Sequence, residues 1–175
     1  MMRDHPVPDI LPADIASADG SSGKMKKPHQ CGAICWRIDD RGWLMALLIT
    51  SKRTGRWIIP KGNIKRRENQ FECARREAFE EAGVTGRIAK KTIGQYRYFK
   101  PERQQWLTVS VYPLLVSEVA DAFPEMNVRK RRWLPVEKAS VCCDEPDLRA
   151  LFHSFAGLTA GKVTSPVDFS GVSPG

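Results

Sequence analysis

Residues 62–84 read GNIKRRENQFECARREAFEEAGV, and the fold and the chemistry of the chain both turn on this stretch. At about 100° per residue, Phe71, Ala74, Ala78 and Ala82 fall on one stripe that can face a core, which predicts a helix from about Glu68 to Ala82. Gly83 stands where a helix is expected to end in a left-handed residue. Glu77, Glu80 and Glu81 are spaced i, i+3 and i+4 on a different arc, so their carboxylates converge. Three converging carboxylates repel one another, and hard divalent cations such as Mg²⁺ or Mn²⁺ relieve that repulsion. Arg76 has acidic partners within reach, Glu72 four residues before it and Glu68 eight before it. Gly62 lets the preceding loop approach closely and offer a backbone carbonyl. A Glu-rich helix face is by itself most often plain solvated surface; the surrounding residues give this one its meaning.

Outward from the helix, the pattern is mostly strand. Gln30–Ile38 is a small apolar run suited to a buried strand, Asp39–Gly42 has turn chemistry, and Trp43–Thr50 reads as the return strand of a hairpin. Arg56–Ile59 is a short strand stopped by Pro60, followed by a loop over Lys61–Arg67. Gly86–Ile93, Gln95–Lys100, Trp106–Val116 and Arg131–Leu134 follow as strands, with Pro113 marking an edge or bulge. Leu148, Leu151, Phe152 and Phe155 at helical spacing place a second helix over Glu145–Phe155. The expected class is α/β, a mixed sheet sandwiched between helices. Residues 1–26 and 157–175 are rich in Gly, Pro and Ser and are expected to be disordered or flexible tails around one domain at 27–156.

No apolar run approaches the roughly 18 residues that span a bilayer, and residues 1–17 lack the layout of a signal peptide, so a cytoplasmic protein is expected. Cys31, Cys35, Cys73, Cys142 and Cys143 lack zinc-site spacing and read as reduced thiols. The formal charge of +8 favours polyanionic partners without choosing among nucleic acid, nucleotide polyphosphates and inositol polyphosphates.

The quoted stretch resembles the signature of the Nudix hydrolases, G-x5-E-x7-R-E-U-x-E-E-x-G-U with U aliphatic, at every fixed position, Ala78 being a small apolar residue at the first U. The resemblance implies the Nudix fold and hydrolysis of phosphoanhydride bonds with Mg²⁺, or alternatively Mn²⁺, as cofactor. It implies Glu77, Glu80 and Glu81 as metal ligands with the Gly62 carbonyl, and Arg76 as the residue that orients Glu77. Glu68 would pair with Arg76 or reach the metal through water. Glu77 or Glu80 is the first choice for general base, with Glu118 and Glu125 as outside candidates.

Beyond the signature, the chain over about 27–155 looks most like diphosphoinositol-polyphosphate and diadenosine-polyphosphate phosphohydrolases. The likeness lies in Arg56–Gly62 (RWIIPKG), in EEAGVTGRI after the helix, and in Val116–Glu118 with Glu125 and residues 127–133. Two departures weaken the inositol branch: Pro60-Lys61-Gly62-Asn63 replaces its glycine run, and His29 and Gln30 stand where it has a basic residue. Ser51, Lys52, Arg53, Arg56, Lys61, Arg129 and Arg131 are the expected substrate-binding residues, since Arg and Lys neutralise phosphates. If Arg129–Arg132 is a strand, at most two of the four face the site. Tyr96, Tyr98, Phe99 and Trp106 are candidates to stack on a base. The expected partner is a polyphosphorylated small molecule, with an RNA 5′ end or a non-catalytic ligand-sensing domain as alternatives and no membrane. Oligomeric state is not legible.

Overall fold

The computed structural model describes residues 30–163; the expectations for residues 1–26 and 164–175 and the reading of His29 lie outside them. Along the chain run β1 (Gln30–Ile38), β2 (Leu44–Thr50), β3 (Trp57–Ile58), β4 (Lys61–Asn63), α1 (Gln70–Ala82), β5 (Val84–Ile88), β6 (Gly94–Lys100), β7 (Gln105–Val119), β8 (Arg131–Pro135), α2 (Val136–Cys142) and α3 (Pro146–Val163). Strands β3, β2, β1, β7 and β5 lie side by side, with β4 on β1, β6 on β7 and β8 on β2. The sheet is mixed because β1 and β7 run parallel while every other pairing is antiparallel.

Alternation along the central strands feeds two cores. Cys31, Ala33 and Cys35 of β1 pack with Leu47, Ile49, Tyr112 and Leu114 under Ala74, Ala78 and Ala82 of α1. Ile34 and Trp36 turn to the opposite face, where they meet Leu148, Phe152 and Phe155 of α3. The expected sandwich is therefore present, with α1 on one face of the sheet and α2 and α3 on the other. Alanines on α1 bring its backbone close to the sheet, and this proximity places its neighbouring glutamates at the strand ends.

Three local differences have physical reasons. The loop expected at Lys61–Arg67 begins with β4, a three-residue strand that pairs Gln30–Gly32 with Lys61–Asn63. Pro113 lies inside β7, whose pairing with β1 runs unbroken through Ile34; its backbone faces the other edge, where its carbonyl accepts from the Ala89 N–H and β6 gives way to β5, so its missing N–H falls at a gap in that ladder. Helix α3 runs to Val163, so residues 157–163, expected in the flexible tail, are helical; the buried Thr159 hydroxyl bonds the Phe155 carbonyl at 3.0 Å.

Candidate active site

Helix α1 starts with a capping box: Asn69 accepts from the Glu72 N–H, and the Glu72 carboxylate accepts from the Asn69 N–H. Glu72 is thus engaged in the cap and is not a partner of Arg76. The helix ends at Gly83, in the left-handed conformation with φ 64°. A side chain there would also collide with the Phe123 ring, 2.4 Å from an ideal Cβ.

Arg76 gathers the acids of the helix and its preceding loop. Its guanidinium donates twice to Glu68, at 2.7 and 2.9 Å, and also to Glu77 at 2.5 Å and Glu80 at 3.0 Å. A further bond, 3.0 Å, goes to the Asn63 carbonyl and ties the helix to β4. The Arg76 side chain holds the Glu68 carboxyl below its usual range. Burial dominates at Glu77 and raises its carboxyl despite the same arginine. Glu80 is more exposed and also meets Lys65 at 3.2 Å.

Glu81 faces the other way. One of its oxygens accepts the Lys61 main-chain N–H at 2.9 Å, and the other accepts from the Arg129 guanidinium. Arg129 in turn bonds Glu125 at 2.5 Å and the Thr50 carbonyl at 2.9 Å, and Lys52 approaches the same Glu125 at 2.6 Å. Burial pushes the Glu81 carboxyl up to about 7, opposed by the charge of Arg129. Lys61 is half-buried, and loss of solvent around its ammonium lowers it from the usual range.

The donor chemistry suits a hard divalent cation, since three carboxylates and the Gly62 carbonyl would all offer oxygen. Gly62 fits its expected place closely, since an ideal Cβ there would lie 2.1 Å from the Glu77 carboxyl carbon. In the conformation described, the Gly62 carbonyl accepts from the Cys73 thiol at 3.6 Å, and cationic side chains and a main-chain N–H hold the carboxylate oxygens. Among the described residues no three Asp, Glu, His or Cys side chains are already arranged around one point as ion ligands. The three carboxylates expected from their spacing to converge do not do so here: Glu77 and Glu80 turn to Arg76, and Glu81 turns to the Lys61 N–H and Arg129.

A cavity of about 550 Å³ opens beside Glu81. Of the seven residues expected to bind substrate, Ser51, Lys52, Arg53, Arg56, Lys61 and Arg129 line it. Arg131 does not. Its guanidinium bonds the Ala82 and Ala120 carbonyls at 3.0 Å each and lies over the Phe123 ring, so it caps the end of α1. Tyr98 and Phe99 also line the cavity, whereas Tyr96 is buried core and Trp106 packs on Phe99 outside it. The Lys61 ammonium lies 4.4 Å from the Tyr98 ring centre, and the Tyr98 hydroxyl bonds Gln30 at 2.8 Å. Of the two outside candidates for base, Glu125 reaches the site through Arg129, while Glu118 pairs with Thr85 at 3.3 Å. Lys100 and Glu145 line the cavity without having been anticipated. Strand alternation from Tyr96 through Tyr98 is a usable signal for Lys100; nothing in the sequence singles out Glu145.

The model of the NUDIX domain matches residues 28–155, most of the chain. The chain belongs to the Nudix family. Nudix hydrolase 21, chloroplastic, of Arabidopsis thaliana is 31% identical over 115 residues, covering 65% of this chain and 58% of that protein. Diphosphoinositol polyphosphate phosphohydrolase 3-beta of Bos taurus is 32% identical over 116 residues, covering 65% of this chain and 66% of that protein. The chain thus spans little more than half the length of several relatives it matches. Among solved structures, a C. elegans Ap4A hydrolase superimposes with a TM-score of 0.58 at 22% identity, over 75% of this chain and 98% of the other, which supports the Nudix fold. No helix among the described residues is long and apolar enough to cross a membrane.

Proposed function

We propose that this Nudix domain hydrolyses a phosphoanhydride bond in a heavily phosphorylated small molecule, a diphosphoinositol polyphosphate, a diadenosine polyphosphate or a related nucleoside polyphosphate. The observation that carries this reading is the juxtaposition of Glu81 with a cavity lined by Lys52, Arg53, Arg56, Lys61, Lys100 and Arg129. Cations in that number favour several phosphates, and the arginines can meet them with paired hydrogen bonds.

Glu77, Glu80, Glu81 and the Gly62 carbonyl are the ligands this reading assigns to Mg²⁺ or Mn²⁺. A divalent cation held there would neutralise phosphate charge and favour ionisation of water. Arg76 holds Glu77 and Glu80 in position, and Lys61, Arg56 and Arg129 draw the phosphate chain against α1. Water adds to one phosphorus as the anhydride P–O bond breaks, and the leaving phosphate takes the bonding electrons. Glu77 or Glu80 accepts the proton of the attacking water. A cytoplasmic setting belongs to the same reading and is consistent with five free cysteines.

A non-catalytic domain of this fold has no need of its acids, and all of Glu77, Glu80 and Glu81 are retained. The test is phosphate release from diphosphoinositol pentakisphosphate, Ap4A and 5′-triphosphate RNA, with Mg²⁺ and with chelator. Cleavage of one of the first two, abolished by chelation, is expected. Preference for the RNA would move the substrate to a nucleic-acid end, and cleavage of none would overturn the enzymatic reading.

A further inference from the structure

A basic groove runs between helix α1 and the edge strand β5. Its first part, about 640 Å³, is lined by Arg66, Arg67, Arg75 and Phe79, with Glu68 and Glu72 on the wall. A second part continues from Arg75 along β5 to Arg87 and Lys90, past Phe71 and Ile88. Neither part shares a lining residue with the cavity beside Glu81.

The positive charge of this groove is not answered within it. Arg66, Arg67 and Arg75 are exposed, and among the described residues their guanidinium groups make no hydrogen bond or ion pair. The two acids on the wall are taken: Glu68 by Arg76 and the Lys65 N–H, Glu72 by the helix cap. Phe79 is exposed and Phe71 half-buried, so apolar surface is interleaved with the charge.

We propose that this groove is a docking surface for residues 4–19 of the same chain, DHPVPDILPADIASAD. That stretch carries Asp4, Asp9, Asp14 and Asp19 and no Lys or Arg, in a chain whose net charge is +8. Val7, Ile10, Leu11 and Ile15 stand between its acids, as Phe71, Phe79 and Ile88 stand between the cations of the groove. By composition such a segment cannot order itself alone, and a surface that supplies both opposite charge and apolar contact shifts that balance. Connectivity favours it over a separate acidic partner. Gln30 pairs with Asn63 and bonds the Asn63 side chain at 3.0 Å, so the chain enters β1 beside the loop that carries Arg66 and Arg67 into the groove. Residues 20–29 lie between, and fully extended they reach up to about 35 Å. Each exposed ion pair contributes only ~0.2–1 kcal/mol. Tethering, however, gives the segment an effective concentration on the order of millimolar, so a contact too weak for a separate peptide is populated within one chain.

The test is photo-cross-linking in the full chain. A benzophenone amino acid replaces Ile10, and the cross-linked peptides are mapped by mass spectrometry in four backgrounds. These are the wild type, Arg66→Glu/Arg67→Glu/Arg75→Glu, Asp9→Lys/Asp14→Lys, and the two sets combined. The wild-type background is expected to cross-link within one chain to peptides containing residues 66–79 or 85–90, with a yield that falls as salt is raised. Either charge reversal alone should lose most of that yield, and the combination should restore it. The aspartate set changes no residue of the sheet or helices, so it decides the matter if the arginine set does not fold. Cross-links to other surfaces, or a yield indifferent to both reversals, overturn the proposal. Cross-links between two chains overturn it in favour of a second copy as the occupant. None of these readouts involves turnover, so their failure leaves the proposed hydrolysis untouched.

Discussion

Two arginines bracket helix α1, and they do different work with similar partners. Arg76 belongs to the helix, and its bonds to Glu68, Glu77, Glu80 and the Asn63 carbonyl lie within the signature stretch. Arg129 arrives from the far side of the chain, between β7 and β8, and spans Glu81, Glu125 and the Thr50 carbonyl at the mouth of the cavity. The first arrangement is a scaffold: a bidentate pair with Glu68 fixes the guanidinium, which then orients two carboxylates. The second stands where substrate phosphates are expected, so Arg129 can exchange Glu81 for a phosphate without losing its anchor on Glu125. Charge alone does not separate a positioning arginine from a binding one; the surroundings of each guanidinium do.

Arg76→Ala is expected to have the largest effect. It leaves the partly buried Glu68 and Glu77 without their cation, which should cost roughly 3 kcal/mol of stability, lowered somewhat by the exposure of Glu80. Turnover should fall at least about a hundredfold, because displaced catalytic groups lose their alignment. Chemical denaturation together with kcat reads both effects, and a change in KM alone would contradict the scaffold role.

Arg129→Met should act on the other side of the comparison. KM for a polyphosphate substrate is expected to rise by about tenfold, with a smaller change in kcat, as one charged hydrogen-bonding partner is lost. Steady-state kinetics at several salt concentrations would show it; a fall in kcat with KM unchanged would make Arg129 part of the scaffold instead.

Arg131→Met is the smallest of the three. Two carbonyl bonds at the end of α1 are lost, costing about 1–2 kcal/mol of stability, while kcat/KM stays near the wild-type value. Thermal melting and an activity assay check this, and a large rise in KM would restore Arg131 to the substrate site from which its position removes it.

What was legible in the sequence follows the range of the contacts. The helix that carries Glu77, Glu80 and Glu81 was readable because its spacing lies within one element, whereas the directions their carboxylates take were not, since Arg76, the Lys61 N–H and Arg129 decide them. The basic lining from Ser51 to Lys61 was readable because it adjoins that element. Choosing between Arg129 and Arg131 required the register of β8 on β2, where Ile49 faces Arg131, and no local pattern carries that information. Strand β4 was hidden for a related reason: Lys61-Gly62-Asn63 has no apolar alternation, and its strand character comes from β1. Helix α2 follows Pro135 without any side-chain cap and is only seven residues long, too short for its period to stand out. Glu145, just before α3, meets the cavity only through the packing of α3 on β6, which no local pattern carries.

The carboxylate face of α1 is the proposed centre of the hydrolysis, and the turnover of Glu81→Gln tests it. The substitution keeps the shape and one acceptor oxygen while removing the negative charge that a divalent ion would need at this position. On whichever phosphoanhydride the wild type cleaves, with thermal melting showing that the variant is folded, kcat is expected to drop by orders of magnitude. Near-normal turnover of a folded Glu81→Gln protein would contradict the assignment of this helix as the catalytic centre.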